Sequence, residues 1–168
     1  KQGLTETFIG NWFAKTGKRN EVVLASKVEV SPIIKNRDNA DSYSRESIRT
    51  AVEGSLSRLQ TDYLDLYQIH WPARETNRQG PRGYTGEENP DSGGIEETLT
   101  TLTELVKEGK IRYFGVSNES AWGVSEYLRL HREKGLGRIV TIQNQYSLIG
   151  RMFEIGAVSY THLTLPTS

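Results

Sequence analysis

The run LDLYQIHWP, Leu64 to Pro72, decides how this chain is read. In an extended backbone Leu64, Leu66, Gln68 and His70 share one face, and Asp65, Tyr67, Ile69 and Trp71 share the other. Apolar residues stand on both faces, which is the pattern of a parallel strand covered on both sides. Trp71 and Pro72 then turn the chain, because proline has no N–H for a ladder and pushes the residue before it out of the helical region. A polar imidazole, His70, is left at the C-terminal end of an apolar strand.

The flanking sequence repeats this arrangement. Upstream, SRESIRTAVEGSLSRLQ sets Ile48, Ala51, Val52, Ser55, Leu56 and Leu59 on one helical face behind a capping Ser44. Before it, EVVLASKV is short and β-branched and predicts a strand over 22–28. Downstream, IEETLTTLTELVKEGK places Ile95, Leu99, Leu102, Leu105 and Val106 on one stripe that ends at Gly109. A strand over 111–117, a helix from about Ser120 to Lys134 stopped by Gly135, and a strand over 139–145 follow. Near the start, GLTETFIGNWFAKTG predicts a helix with Thr5 as N-cap, an apolar face of Phe8, Ile9, Trp12 and Phe13, and a stop at Gly17. The polar stretch between Arg74 and Asp91 has no periodicity and is expected to be an insertion placed where it can cover a site.

Helix and strand alternating throughout means βαβ crossovers and a parallel sheet. Two architectures use that order, the doubly wound sheet and the (β/α)8 barrel. A dinucleotide-binding doubly wound sheet carries a glycine-rich phosphate turn after its first strand, and no strand here is followed by G-x-G-x-x-G or G-x-x-x-x-G-K. Instead the strand ends carry Lys27, His70, Ser117 with Asn118, and Gln143 with Asn144. Strand ends at one mouth are where a barrel builds its site, so the expected fold is α/β, a partial (β/α)8 TIM barrel of about four parallel strands with outer helices.

Composition narrows the function classes. The 168 residues hold 21 Lys plus Arg against 21 Asp plus Glu, so no overall field favours nucleic acid. There is no cysteine, which removes thiolate metal sites and thiol nucleophiles, and the three histidines are too scattered to form a metal cluster. No apolar run approaches the ~20 residues of a membrane span. A cytoplasmic protein with neither nucleic-acid nor membrane partner is the expectation.

Each candidate side chain also has a structural reading. Lys27 is either a strand-end lysine reaching water or an ammonium drawn into the barrel mouth. His70 is either a rim residue or a proton-handling group. Ser117, Asn118 and Gln143 suit turns and helix caps as well as a flat, amide-bearing ligand. His131, beside Arg129 and Arg132 near a helix end, is expected to have no role.

The runs GLTETFIGNW, VVLASKV, SLSRLQTDYLDLYQIHWP, LVKEGKIRYFGVSNE and IVTIQNQYSLI resemble the aldo-keto reductases, especially the bacterial NADP(H)-dependent subgroup near the potassium-channel β subunits. The resemblance implies reduction of an aldehyde or ketone, a small-molecule carbonyl substrate, by hydride transfer from NADPH, with NADH as the alternative cofactor. It also implies a catalytic lysine at Lys27 and a catalytic histidine at His70, supporting a tyrosine that donates the proton. Ser117, Asn118 and Gln143 match the residues that bind the cofactor's carboxamide, and no metal is implied. The same barrel serves non-catalytic, cofactor-binding regulatory subunits, which is the alternative function.

Departures from the family pattern set further expectations. The family's aspartate and tyrosine lie on the segment ahead of GLTETFIG, and Tyr43, Tyr63 and Tyr84 fall in the wrong elements to substitute. The chain is therefore expected to be an interior piece that is inactive by itself, with residues 1–156 as partial barrel. The tail AVSYTHLTLPTS, 157–168, departs from the helix the family would continue and is expected to be non-native, so His162 is assigned no role.

Overall fold

The computed structural model describes residues 3–28, 43–72 and 94–151. The expected insertion between Arg74 and Asp91, the boundary at 156 and the tail lie outside the described residues. The elements run α1 (Leu4–Thr16), β1 (Ala25–Val28), α2 (Arg45–Leu59), β2 (Leu64–Ile69), α3 (Ile95–Lys107), β3 (Ile111–Ser117), α4 (Ala121–Lys134) and β4 (Ile142–Gln143). A short 3-10 turn, Lys18–Glu21, joins α1 to the approach of β1.

The four strands form one parallel sheet in the order β1-β2-β3-β4, so each crossover joins neighbours. That order is the one expected of a barrel wall, in contrast to the reversal of strand order at the centre of a doubly wound sheet. The core lies on the helix side of the sheet. Val28, Tyr67, Ile69, Phe114 and Val116 from the strands join Ile48, Val52, Leu59, Leu99, Leu102, Leu105, Tyr127 and Leu130 from the helices in one buried cluster. The three leucines of α3 fall on one stripe, and burying each contributes about 1.5–3 kcal/mol relative to exposure. The opposite face is open at Ala25 and at Tyr113, which is 60% exposed.

Several expectations are met at the level of single caps. Ser44 accepts from the Ser47 amide at the start of α2, and Gly17 and Gly135 close α1 and α4 in the left-handed region. Ser120, expected as the first residue of its helix, is the N-cap of α4 and accepts from the Gly123 amide. Two expectations for α1 are corrected. Thr5 lies inside the helix, whose N-cap is Gly3 at φ 76°. The expected apolar face splits, with Phe13 buried and Ile9 partly buried while Phe8 and Trp12 are 67% and 43% exposed. Gly10 explains the rotation: a Cβ there would lie against the Arg58 carbonyl and within 2.8 Å of the Leu59 carbonyl carbon, so α1 meets the end of α2 on its Glu6, Gly10 and Phe13 side. Glu6 is engaged by Ser26 Oγ and by Arg58 Nε at 2.7 Å, which a helix packed on its aromatic side would forgo.

The fourth strand is shorter than the expected 139–145. Val140 N donates to Phe114 O while Val116 N donates to Thr141 O, so two residues share the bonding opposite Gly115. Such a bulge interrupts the ladder and leaves Ile142 and Gln143 as the regular part.

Candidate functional site

Register brings the sequence candidates to one face. Lys27 pairs with Gln68, Gln68 with Gly115, and Ser117 with Gln143. Paired residues in a parallel sheet point the same way, and residues two apart on a strand point alike. Lys27, Gln68, Ser117 and Gln143 therefore share the face away from the core, near the C-terminal edge of the sheet, and His70 follows directly on β2 at that edge.

Lys27 lies one residue before the end of β1 and is half-buried. His70 follows the last residue of β2, is half-buried, and stacks on Trp71 with ring centroids 5.7 Å apart. Its amide donates to Val28 O at 3.0 Å, which extends the β1–β2 ladder to the site. Tyr43, fully buried, receives the Trp71 amide on its hydroxyl at 3.3 Å. That bond anchors the turn beyond His70 to the start of α2.

Ser117 ends β3 and Asn118 follows it in the left-handed region at φ 56°, a conformation asparagine adopts more readily than most residues. Both are buried, and their polar groups converge. Ser117 Oγ donates to Gln143 O at 2.7 Å, Asn118 N donates to the same carbonyl at 3.0 Å, and Asn118 Nδ2 donates to His70 O at 2.9 Å and to Ser117 Oγ at 3.2 Å. Three strand ends, β2, β3 and β4, are thus tied through Asn118 and Ser117. Gln143 is exposed, so its side-chain amide is accessible at the rim.

The next layer down is polar as well. Gln68, 4% exposed, donates from Nε2 to Thr141 Oγ1 at 3.4 Å. It reaches over Gly115, where an added Cβ would lie against Thr141 Oγ1 and within 2.7 Å of the Thr141 carbonyl oxygen. Thr141 was not singled out from the sequence; the signal available was Gly115 inside a strand, which marks a close approach.

His131, expected to have no role, sits elsewhere. His131 Nδ1 is 2.6 Å from Leu136 O, a contact that closes the turn after α4. Among the described residues no group of His, Asp and Glu side chains is placed to hold a metal ion, and no helix is long and apolar enough to cross a membrane.

A parallel α/β wall with polar residues gathered at its C-terminal edge has the arrangement of a barrel mouth. Residues 1–160 match the aldo/keto reductase family model, and the chain belongs to that family. Protein tas of Escherichia coli strain K12 is 51% identical over 159 residues, covering 92% of this chain and 45% of that protein. Aldo-keto reductase YhdN of Bacillus subtilis is 34% identical over 158 residues, covering 94% and 40%. An aldo/keto reductase from Klebsiella pneumoniae solved with NADP and acetate superposes with a TM-score of 0.67 at 30% identity, covering 96% of this chain and 45% of that one. The chain thus spans about half the length of these relatives, and its four strands are part of a (β/α)8 barrel wall.

Proposed function

We propose that this chain forms the part of an NADPH-dependent carbonyl reductase that holds the nicotinamide carboxamide and tends the carbonyl oxygen. The carrying observation is the shared face of Lys27, Ser117 and Gln143, with Asn118 bonded to the carbonyl of His70 at the same edge. Membership of the family, and the NADP and NADPH bound in two solved structures of aldo/keto reductase from Klebsiella pneumoniae, support the cofactor class.

The donor set suits a primary carboxamide. Such a group needs an acceptor for its N–H bonds and a donor for its oxygen. Asn118 spends its N–H groups on His70 O and Ser117 Oγ, which leaves its own side-chain oxygen as the acceptor. The exposed Gln143 amide supplies the donor. Ser117, with its proton given to Gln143 O, holds Asn118 in the orientation that does this.

When bound, the nicotinamide supplies the hydride. Lys27 sets a positive charge near the carbonyl end, where it favours the ionised form of a neighbouring acid and so eases proton delivery. His70 donates from its imidazole to the carbonyl oxygen and orients it. The Trp71 ring against His70 limits how far the imidazole swings.

The test is steady-state reduction of a simple aldehyde by a full-length protein carrying this sequence. Lys27→Met is expected to lower kcat by roughly 100-fold or more, the scale of losing assistance to a proton transfer. His131→Ala is expected to leave turnover unchanged. Tight NADPH binding without turnover of any aldehyde or ketone in a broad panel would instead establish a cofactor-sensing subunit.

A further inference from the structure

The two peptide groups that flank His70 are held by three different elements. On the near side, the His70 amide donates to Val28 O of β1 at 3.0 Å. The peptide between His70 and Trp71 lies past the end of β2, and it is bonded at both of its polar atoms. Its carbonyl, that of His70, accepts from Asn118 Nδ2 at 2.9 Å, and its N–H, that of Trp71, donates to the Tyr43 hydroxyl at 3.3 Å. In a trans peptide these two atoms point in opposite directions. A bond to one of them alone still lets the plane rock, whereas bonds to both fix it. Pro72 brings no N–H, so the Trp71 amide is the last main-chain donor of the turn. The residue that takes it has little freedom: Tyr43 is 1% exposed and stands directly ahead of Ser44, the N-cap of α2.

We propose that Tyr43 is a positioning residue for His70: its hydroxyl holds the peptide between His70 and Trp71 against rotation, and so fixes the direction in which the imidazole leaves the chain. The inference rests on the carbonyl-reductase reading above and adds a residue to it. Tyr43 acts through the backbone, since its bond is to the Trp71 amide, and the same bond sets the Trp71 ring on which the imidazole stacks. It accounts for a phenol at the threshold of α2, where a phenylalanine would fill the same buried space without holding the turn.

The tests use the full-length protein carrying this sequence, with NADPH and a simple aldehyde. In the unaltered protein the Trp71 amide is expected to exchange with solvent at least about 100-fold more slowly than an unprotected amide. Tyr43→Phe keeps the ring and removes the oxygen. It is expected to lower kcat roughly 10-fold, with KM and NADPH affinity within about twofold, as the misplacement of a group that acts in the transition state does. The His70 ring resonances in the NMR spectrum of this variant are expected to shift or broaden while those of His131 stay in place. In a His70→Ala background Tyr43→Phe is expected to cost no further turnover. A freely exchanging Trp71 amide overturns the proposal whether or not Tyr43→Phe folds. So does a Tyr43→Phe protein that only melts earlier, with unaltered kcat and unmoved His70 resonances, and so do losses from Tyr43→Phe and His70→Ala that simply multiply. Each of these leaves the reductase reading intact. A full-length protein that turns over no aldehyde or ketone overturns the reductase reading and this inference with it.

Discussion

Asn118 Nδ2 donates to the carbonyl oxygen of His70 at 2.9 Å, which joins the residue after β3 to the residue after β2 across the C-terminal edge of the sheet. The bond depends on a left-handed backbone at Asn118, so conformation and chemistry are demanded of one residue. Asn118→Asp keeps the shape but turns a donor into an acceptor facing His70 O and Ser117 Oγ. A loss of about 1–3 kcal/mol is expected in urea unfolding, the cost of leaving buried polar groups without partners. Asn118→Gly, which suits the backbone and brings no new charge, is expected to lose less than Asn118→Asp.

Gly115 is predicted to tolerate no larger residue. Gly115→Ala puts a methyl group against Thr141, whose backbone carbonyl cannot rotate away as a side-chain end would. Overpacking of that kind costs about 1–3 kcal/mol, read as a lowered denaturation midpoint. Adding Thr141→Ala removes Oγ1 but not the carbonyl oxygen, so partial recovery is expected.

Gly10→Ala carries the same logic to the α1–α2 contact, where the obstacle is the backbone of Arg58 and Leu59. A destabilisation of about 1–3 kcal/mol is expected. Phe8→Ala, two residues away on the exposed side, is expected to change stability by less than about 0.5 kcal/mol in the same assay.

Acid sensitivity should centre on Asp65 and Glu6. Burial raises the pKa of Asp65, but the Leu24 amide at 2.9 Å, Arg19 at 3.0 Å and Arg112 at 2.8 Å outweigh it and hold the carboxyl below its ordinary range. Burial likewise opposes Glu6, and hydrogen bonds from Ser26, Arg58 and Ser55 again leave it lowered. A carboxyl whose folded pKa is depressed stabilises the fold fully above its unfolded value, and that stability is lost as pH falls through the folded one. Stability should therefore decline below about pH 4, where an unperturbed carboxyl begins to protonate. Asp65→Asn should flatten this acid limb and cost about 3–5 kcal/mol at neutral pH, since Arg19 is left buried without its counter-charge. Arg112, more than half exposed, contributes little of that sum.

Much of the architecture was legible in local patterning. The leucine stripe of α3, the cap at Ser44, the glycine stops after α1 and α4, and the both-faced apolar run of β2 each depend on residues within about one helical turn or a few strand positions of one another. Alternation of these elements implied the parallel sheet, and polar residues at successive strand ends implied the edge on which a site forms. The roles suggested for Lys27, His70, Ser117, Asn118 and Gln143 came from resemblance; their spacing shows only that they end strands.

What the tertiary structure decided is which distant groups meet. Helix periodicity offered α1 an aromatic face, but Gly10 let the α2 backbone approach on another side, where Arg58 pairs with Glu6. Strand patterning placed Gln68 beneath His70, yet only the register of three strands and the absent side chain of Gly115 brought its amide to Thr141, 73 positions along the chain. Periodicity is written in neighbouring residues because each element must hide one face from water. Contact across a sheet depends on register, close approach and bulges, which are settled when the elements pack against one another and leave no local trace beyond a glycine where a side chain would be expected.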